Sequence, residues 1–268
     1  MTIDLILVPQ GAEYKAVIRG IKALLTSSST IPKVYALPIG PSVSNTLQQV
    51  FSETGDELDG KFVLLIGLGG SLSPHYQIGD VMLLHSMCKG TSKVKGHYNP
   101  EVKLDSTQTC QKWDISSPRI QHFYSELQTL TSAQTSREDQ ISPNIDIVQG
   151  VTMDRMVTTP DEKRELQRLY QADVVDMESA YVVDFLQSRG ATVAVVRVIS
   201  DNSDTDVPDL NMAIDSLGSL NFRKMLWQFL KQPVAAMRLI RGSLKGLKQL
   251  TRISSTCASI WGPPSDTN

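Results

Sequence analysis

Residues 173–201 read D-V-V-D-M-E-S-A-Y-V-V-D-F-L-Q-S-R-G-A-T-V-A-V-V-R-V-I-S-D, and their order decides the fold. Asp173–Val175 is a short strand, Asp176-Met177-Glu178 leads into a helix, and Arg189-Gly190 ends that helix with a glycine stop. Ala191–Ile199 is β-branched and apolar at nearly every position, as a strand covered on both faces requires, and it ends at Ser200-Asp201. Strand, helix and buried strand in succession indicate an α/β architecture.

The same alternation extends outward. Thr159-Pro160-Asp161-Glu162 is a helix start, with Thr as cap, Pro in the first turn and Glu three residues on. Lys61–Ile66 is an apolar strand that stops at Gly67-Leu68-Gly69-Gly70, a stretch that reads as a loop. Ile3–Pro9 is a buried strand followed by Glu13 and a helical pattern through Leu25; Lys33–Leu37 and Val81–Leu84 are further strands. Residues 89–145 are polar and mostly loop, apart from a helical pattern over 118–130. A helix from about Ser216 to Leu230 stops before Pro233, and a second, basic and amphipathic, runs from about 235 to 253. The expected fold is a three-layer α/β arrangement, a central mixed sheet flanked by helices.

A chain of 268 residues with 41% hydrophobic and 20% charged residues fits one large folded domain and excludes a mainly disordered chain. Asp4 interrupts the first apolar stretch, which also lacks a basic flank, so no signal peptide is expected. The three cysteines, Cys88, Cys110 and Cys257, are widely spaced, so ordinary thiols in a reducing cytoplasm are expected. His75, His85, His97 and His122 show no ligand spacing, and no metal or cofactor is expected.

The net charge of −2 hides a division. Residues 1–215 carry 18 basic and 27 acidic side chains, whereas 216–265 carry eight basic ones and no acid. The acidic body argues against nucleic acid as a partner. The expected organisation is a catalytic domain over 1–232 and a basic amphipathic extension over 233–268.

Three carboxylates fall after strands: Glu13, Glu178 and Asp201. Ligands of open α/β sheets bind at the C-terminal ends of strands. Each acid alone is equally well explained as a helix cap or a solvated loop residue. Together they are the set that glycoside cleavage needs, an acid for the leaving group, a base for the attacking oxygen, and a group to hold the sugar. The Gly67–Gly70 stretch fails the dinucleotide fingerprint, since Leu72 stands at its last glycine position, and it lacks the Lys-Ser/Thr pair of a P-loop. It leaves a backbone that a ligand can approach closely.

At Leu5–Val17, Leu65–Ser86 and Val174–Asp201 the sequence resembles the purine nucleoside phosphorylase / nucleosidase superfamily, particularly the methylthioadenosine/S-adenosylhomocysteine nucleosidases. The pairing of V-D-M-E-S-A with V-R-V-I-S-D is its most specific part. The resemblance implies a homodimeric enzyme cleaving the N-glycosidic bond of an adenine nucleoside. Asp201 would be the acid on the purine N7, Glu13 would activate water, and Glu178 would hold ribose hydroxyls with Met177 against the sugar. Ser200 and Arg197 would support Asp201, and Met156 with its backbone would face the adenine. Gly67, Gly69 and Gly70 would admit the ligand. Burial at the strand end is expected to raise the Asp201 pKa.

Phosphorylases of this superfamily place an arginine shortly before the glycine stretch, where this sequence has Leu64-Leu65-Ile66. Without a cation there, hydrolysis is favoured over phosphorolysis. A related branch acts on lipid-linked adenosine in hopanoid biosynthesis, so a phosphorylase of that kind is the alternative. A non-catalytic nucleoside-binding or membrane-associated protein is the second alternative. In the tail, Met237, Ile240, Leu244 and Leu247 repeat at helical spacing with Arg238, Arg241, Lys245 and Lys248 beside them. That pattern fits either a helix docked on the body or an anchor on an anionic membrane surface, with a peripheral location on the inner face. Gly242 and Gly246 suggest a segment ordered only on contact.

Overall fold

The computed structural model describes residues 3–24, 32–55, 57–90, 110–112, 117–135, 145–214 and 221–260. In chain order the elements are β1 (Leu5–Pro9), α1 (Ala12–Leu24), β2 (Lys33–Leu37), α2 (Val43–Thr54), β3 (Phe62–Ser71), β4 (Val81–Lys89), β5 (Cys110–Lys112), α3 (Pro118–Thr135), β6 (Ile145–Thr152), α4 (Pro160–Tyr170), β7 (Val174–Asp176), α5 (Ser179–Gln187), β8 (Thr192–Asp201), α6 (Phe222–Lys231) and α7 (Pro233–Ile260). The first part of the helix expected from Ser216 lies outside the described residues.

The sheet is mixed. β2, β1, β3 and β8 run parallel in that spatial order. β8 also pairs antiparallel with β4, β4 parallel with β6, β6 parallel with β7, and β7 antiparallel with the end of β3. These pairings return to β3, so part of the sheet closes on itself with β1 and β2 as an arm.

Period-two alternation explains the layers. Along β3, Val63 and Leu65 enter one core cluster and Phe62, Leu64 and Ile66 the opposite one; along β8, Val193 and Val195 oppose Ala194, Val196 and Val198. On one side α2 and α5 supply Leu47, Phe51, Val183 and Leu186. On the other, α1, α3 and α7 supply Val17, Ile21, Phe123, Leu250 and Ile253. Helix α4 starts as its sequence requires, with the Thr159 hydroxyl accepting the Glu162 N–H.

Three expectations change. Gly67–Gly70 is not a loop: β3 continues through it to Ser71. Cys88 is disulfide-bonded and not a free thiol, and the β4–β5 ladder sets its backbone opposite that of Cys110, a proximity that linear spacing conceals. Gly242 and Gly246 are buried helix residues, not signs of a loose segment. A Cβ on Gly242 would stand 2.2 Å from the Ser200 carbonyl oxygen, and one on Gly246 3.1 Å from a Leu68 methyl, so both glycines let α7 lie against the end of β8.

Candidate active site

The C-terminal ends of β1, β3, β7 and β8 converge, and the acidic residues gather there. Glu13 sits in the first turn of α1, directly after β1, where the helix N-terminus favours an acid. Its Oε1 accepts the Leu68 N–H at 2.5 Å. Burial, offset only in part by that bond and by the Arg197 charge, pushes its carboxyl from 4.5 up to about 7.

Glu178 occupies the cap position of α5 but makes no capping bond there. Its Oε1 instead accepts the Gly40 N–H at 3.0 Å, from the turn after β2, and its Oε2 lies 3.9 Å from Arg197 Nη2. It is buried, and burial together with the neighbouring Asp176 charge raises its pKa. The capping work at this helix falls to Asp176, which accepts from the Ser179 N–H. Met177, half-buried between the two acids, has its methyl 3.7 Å from where a Cβ on Gly40 would stand.

Arg197 is fully buried on β8, and it sits elsewhere than expected. It bonds Asp176 Oδ2 at 2.8 Å through Nε and Ser179 Oγ at 2.9 Å through Nη2, away from Asp201. A register shift explains the separation: Arg197 pairs with Gly67 and Asp201 with Gly70, and the ladder is interrupted between Gly69 and Gly70, so the even count from 197 to 201 does not put the two side chains on one face of β8. Among the described residues Arg197 Nη1 has no hydrogen-bond partner. A Cβ on Gly67 would stand 2.6 Å from that nitrogen and 2.8 Å from Glu13 Oε1. The cation that the sequence before the glycines lacks is therefore delivered from β8.

Asp201 closes the other end. Ser200 Oγ donates to its Oδ1 at 3.0 Å, as expected, and Lys163 Nζ meets its Oδ2 at 2.5 Å. Lys163, on α4, is fully buried and also donates to the Asn202 carbonyl at 2.6 Å. The expected environment was burial alone; the structure adds a buried cationic partner. Asp201 lies over Gly70, whose Cβ would stand 3.0 Å from Oδ2. Gly67 and Gly70 thus admit the protein's own side chains, while a Cβ on Gly69 would press on Val174 at 2.9 Å. Three strand steps, about 10 Å along β3, separate Gly67, where Glu13 lies, from Gly70, where Asp201 lies.

Met156 precedes α4, and Asn211 takes both of its backbone groups, accepting its N–H at 2.6 Å and donating to its carbonyl at 3.1 Å. Those groups are spoken for, and the side chain is half-buried.

Two residues escaped the sequence reading. Asp176, buried and bonded by Thr152, Ser179 and Arg197, anchors the guanidinium. Its signal was its place two residues before Glu178 in V-D-M-E-S-A. Lys163 had no local signal beyond lying one turn after a helix cap.

Fold and site together define an α/β protein with buried and half-buried acidic residues gathered at the strand ends. The model of the phosphorylase superfamily matches residues 32–231, and the chain belongs to that superfamily of enzymes. Among solved structures it is similar to a 5'-methylthioadenosine/S-adenosylhomocysteine nucleosidase from Helicobacter pylori, at 17% identity and a TM-score of 0.61, covering 97% of this chain and 99% of that one. It is also similar to the futalosine hydrolase of the same organism, at 18% identity and 0.58, covering 96% and 97%. A putative methylthioadenosine nucleosidase from Weissella paramesenteroides follows at 15% and 0.53, covering 94% and 98%. At these identities the likeness establishes the fold. No curated protein sequence matches the chain.

Proposed function

We propose that the protein hydrolyses the N-glycosidic bond of an adenine nucleoside carrying a 5'-substituent, of the kind represented by methylthioadenosine or S-adenosylhomocysteine. The observation that carries this reading is that Glu13 and Arg197 both lie against Gly67, and Asp201 against Gly70, three strand steps further along β3. A water held by Glu13, with the buried Arg197 charge nearby, gives its proton to Glu13 as its oxygen bonds C1' of the sugar. The C1'–N9 bond breaks with its electron pair passing to the base, and Asp201, steadied by Ser200 and Lys163, protonates N7. Glu178 holds ribose hydroxyls beside Met177, and the surrounding carboxylates stabilise the oxocarbenium-like state. The side chain of Met156 packs on the base.

Arg197 Nη1 also favours a second reading, phosphorolysis, including of a lipid-linked adenosine, because an unpartnered guanidinium nitrogen can take a phosphate oxygen. The balance of charge opposes it: Glu13, Asp176 and Glu178 surround one guanidinium, and a dianion would meet more repulsion than attraction. We take 1–232 as the catalytic unit and 233–268 as its basic extension, and the assembly as a homodimer whose partner closes the 5' pocket. A cytoplasmic, peripheral location belongs to the same proposal; the Cys88 disulfide is the observation that weighs against a reducing compartment.

The test is incubation of the purified protein with methylthioadenosine, S-adenosylhomocysteine, adenosine and inosine, each with and without phosphate, while free base is measured. Adenine released in phosphate-free buffer supports hydrolysis. Release only with phosphate selects the second reading, and no release from any nucleoside removes both.

A further inference from the structure

The exposed large hydrophobic side chains among the described residues all fall between Met212 and Leu244. Leu230 is 69% exposed, Val234 64%, Leu244 62% and Trp227 60%, so they stand in water and not at the rim of a core. They lie on α6, at the turn into α7 and on the first half of α7. The second half of α7 is different: Leu250, Ile253, Cys257 and Ile260 are buried against α1 and the sheet. That docking fixes the helix, and the first half cannot turn its apolar arc inward without pulling the second half out of the core.

Seven exposed cations flank the apolar face: Arg223, Lys224 and Lys231 on α6, and Arg238, Arg241, Lys245 and Lys248 on α7. No acid occurs from 216 to 265. On α7, Met237, Ile240 and Leu244 share one arc, and the four cations occupy the arc beside it, as three- and four-residue spacing dictates. Lys231 lies over the Trp227 ring, 5.3 Å from its centroid.

We infer that this face docks on an anionic lipid bilayer surface. Charge complementarity selects the occupant. A second copy meeting the same patch across a two-fold axis would bring its cations against these, whereas an anionic headgroup layer neutralises them. The apolar arc would enter the boundary between headgroups and acyl chains, the lysine and arginine stems would reach back to the phosphates, and Trp227 suits the interfacial layer. No helix among the described residues is long and apolar enough to cross a membrane, so the contact is with the surface. The face begins at Met212, one residue from Asn211, which holds the backbone of Met156.

The test is co-sedimentation of the full chain with vesicles of phosphatidylcholine alone or with about a third phosphatidylglycerol. The result does not depend on turnover, so it stands or falls apart from the proposed reaction. The protein is expected to partition at least about tenfold more strongly onto the anionic vesicles. Arg238→Gln with Arg241→Gln is expected to lower that partition by roughly thirtyfold. Leu230→Ser with Met237→Ser, both exposed and outside the core, is expected to reduce it comparably while thermal melting is unchanged. The inference is overturned if the wild type stays in solution beside anionic vesicles, or if both double variants pellet like the wild type. It is also overturned if, without lipid, the chain is a dimer that Leu230→Ser with Met237→Ser converts to a monomer.

Discussion

In the proposed reaction Glu13 is the base, and its carboxyl is held in a poorly solvated place with one backbone donor and one nearby cation. An acid ionising at about 7 is half-charged at neutrality, the range in which a general base accepts a proton efficiently. The rate on free substrate should therefore fall as the pH drops through about 7, visible as a limb in the kcat/KM profile. The same shift has a cost in stability. The folded chain holds this proton from 4.5, the ordinary value, up to about 7, so the stabilising contribution is complete below the lower value and is lost as the pH rises through the upper one. Glu13→Gln should accordingly abolish turnover and yet melt at higher temperature than the wild type at about pH 8, by roughly 2–3 kcal/mol, with little difference near pH 4. Equal melting curves at both values would show that the carboxylate is not held in the environment described. For Asp201→Asn the expectation is a loss of at least about a hundredfold in kcat with the fold retained, because the amide still offers Lys163 an oxygen but no proton to the base. Activity at wild-type level would remove Asp201 as the acid.

Among the elements, α7 and β3 show what was legible in the sequence and what was not. The bounds of β2 and the cap of α4 were readable from local chemistry, since apolar alternation and a Thr-Pro-x-Glu start are local properties. The continuation of β3 through Gly67–Gly70 was not, because those glycines answer to Glu13, Arg197, Val174 and Asp201, which are distant in sequence. The three carboxylates could be found because each lies at or shortly after the C-terminal end of a strand; the position of Arg197 could not, because its partner Asp176 lies on another strand. Gly242 and Gly246 look like helix breakers in sequence, yet their meaning is the tight seat of α7 on β8. Gly242→Ala would drive a Cβ against the Ser200 carbonyl at 2.2 Å, where backbone must move. The expected penalty is about 1–3 kcal/mol, a fall of a few degrees in Tm, accompanied by reduced activity because Ser200 adjoins Asp201. Gly246→Ala meets only a Leu68 methyl at 3.1 Å, and its gain in helix propensity should leave stability close to wild type. Scanning calorimetry of the two variants side by side reads the difference, and equal melting temperatures would contradict the packing account.

Across the whole molecule, an acidic body and a basic, partly apolar flank are joined by α7, whose second half belongs to the core and whose first half faces out. The sheet closes on itself through β3, β8, β4, β6 and β7, and this closure holds β7 against the end of β3 so that Glu178, Arg197 and Glu13 converge. In the proposed reaction these groups activate water against C1' of a purine nucleoside. The most direct measurement is turnover of methylthioadenosine in oxygen-18 water with phosphate present, followed by mass analysis of the sugar product. The account predicts one solvent-derived oxygen at C1' and free adenine; an unlabelled sugar 1-phosphate, or no adenine at all, would contradict it.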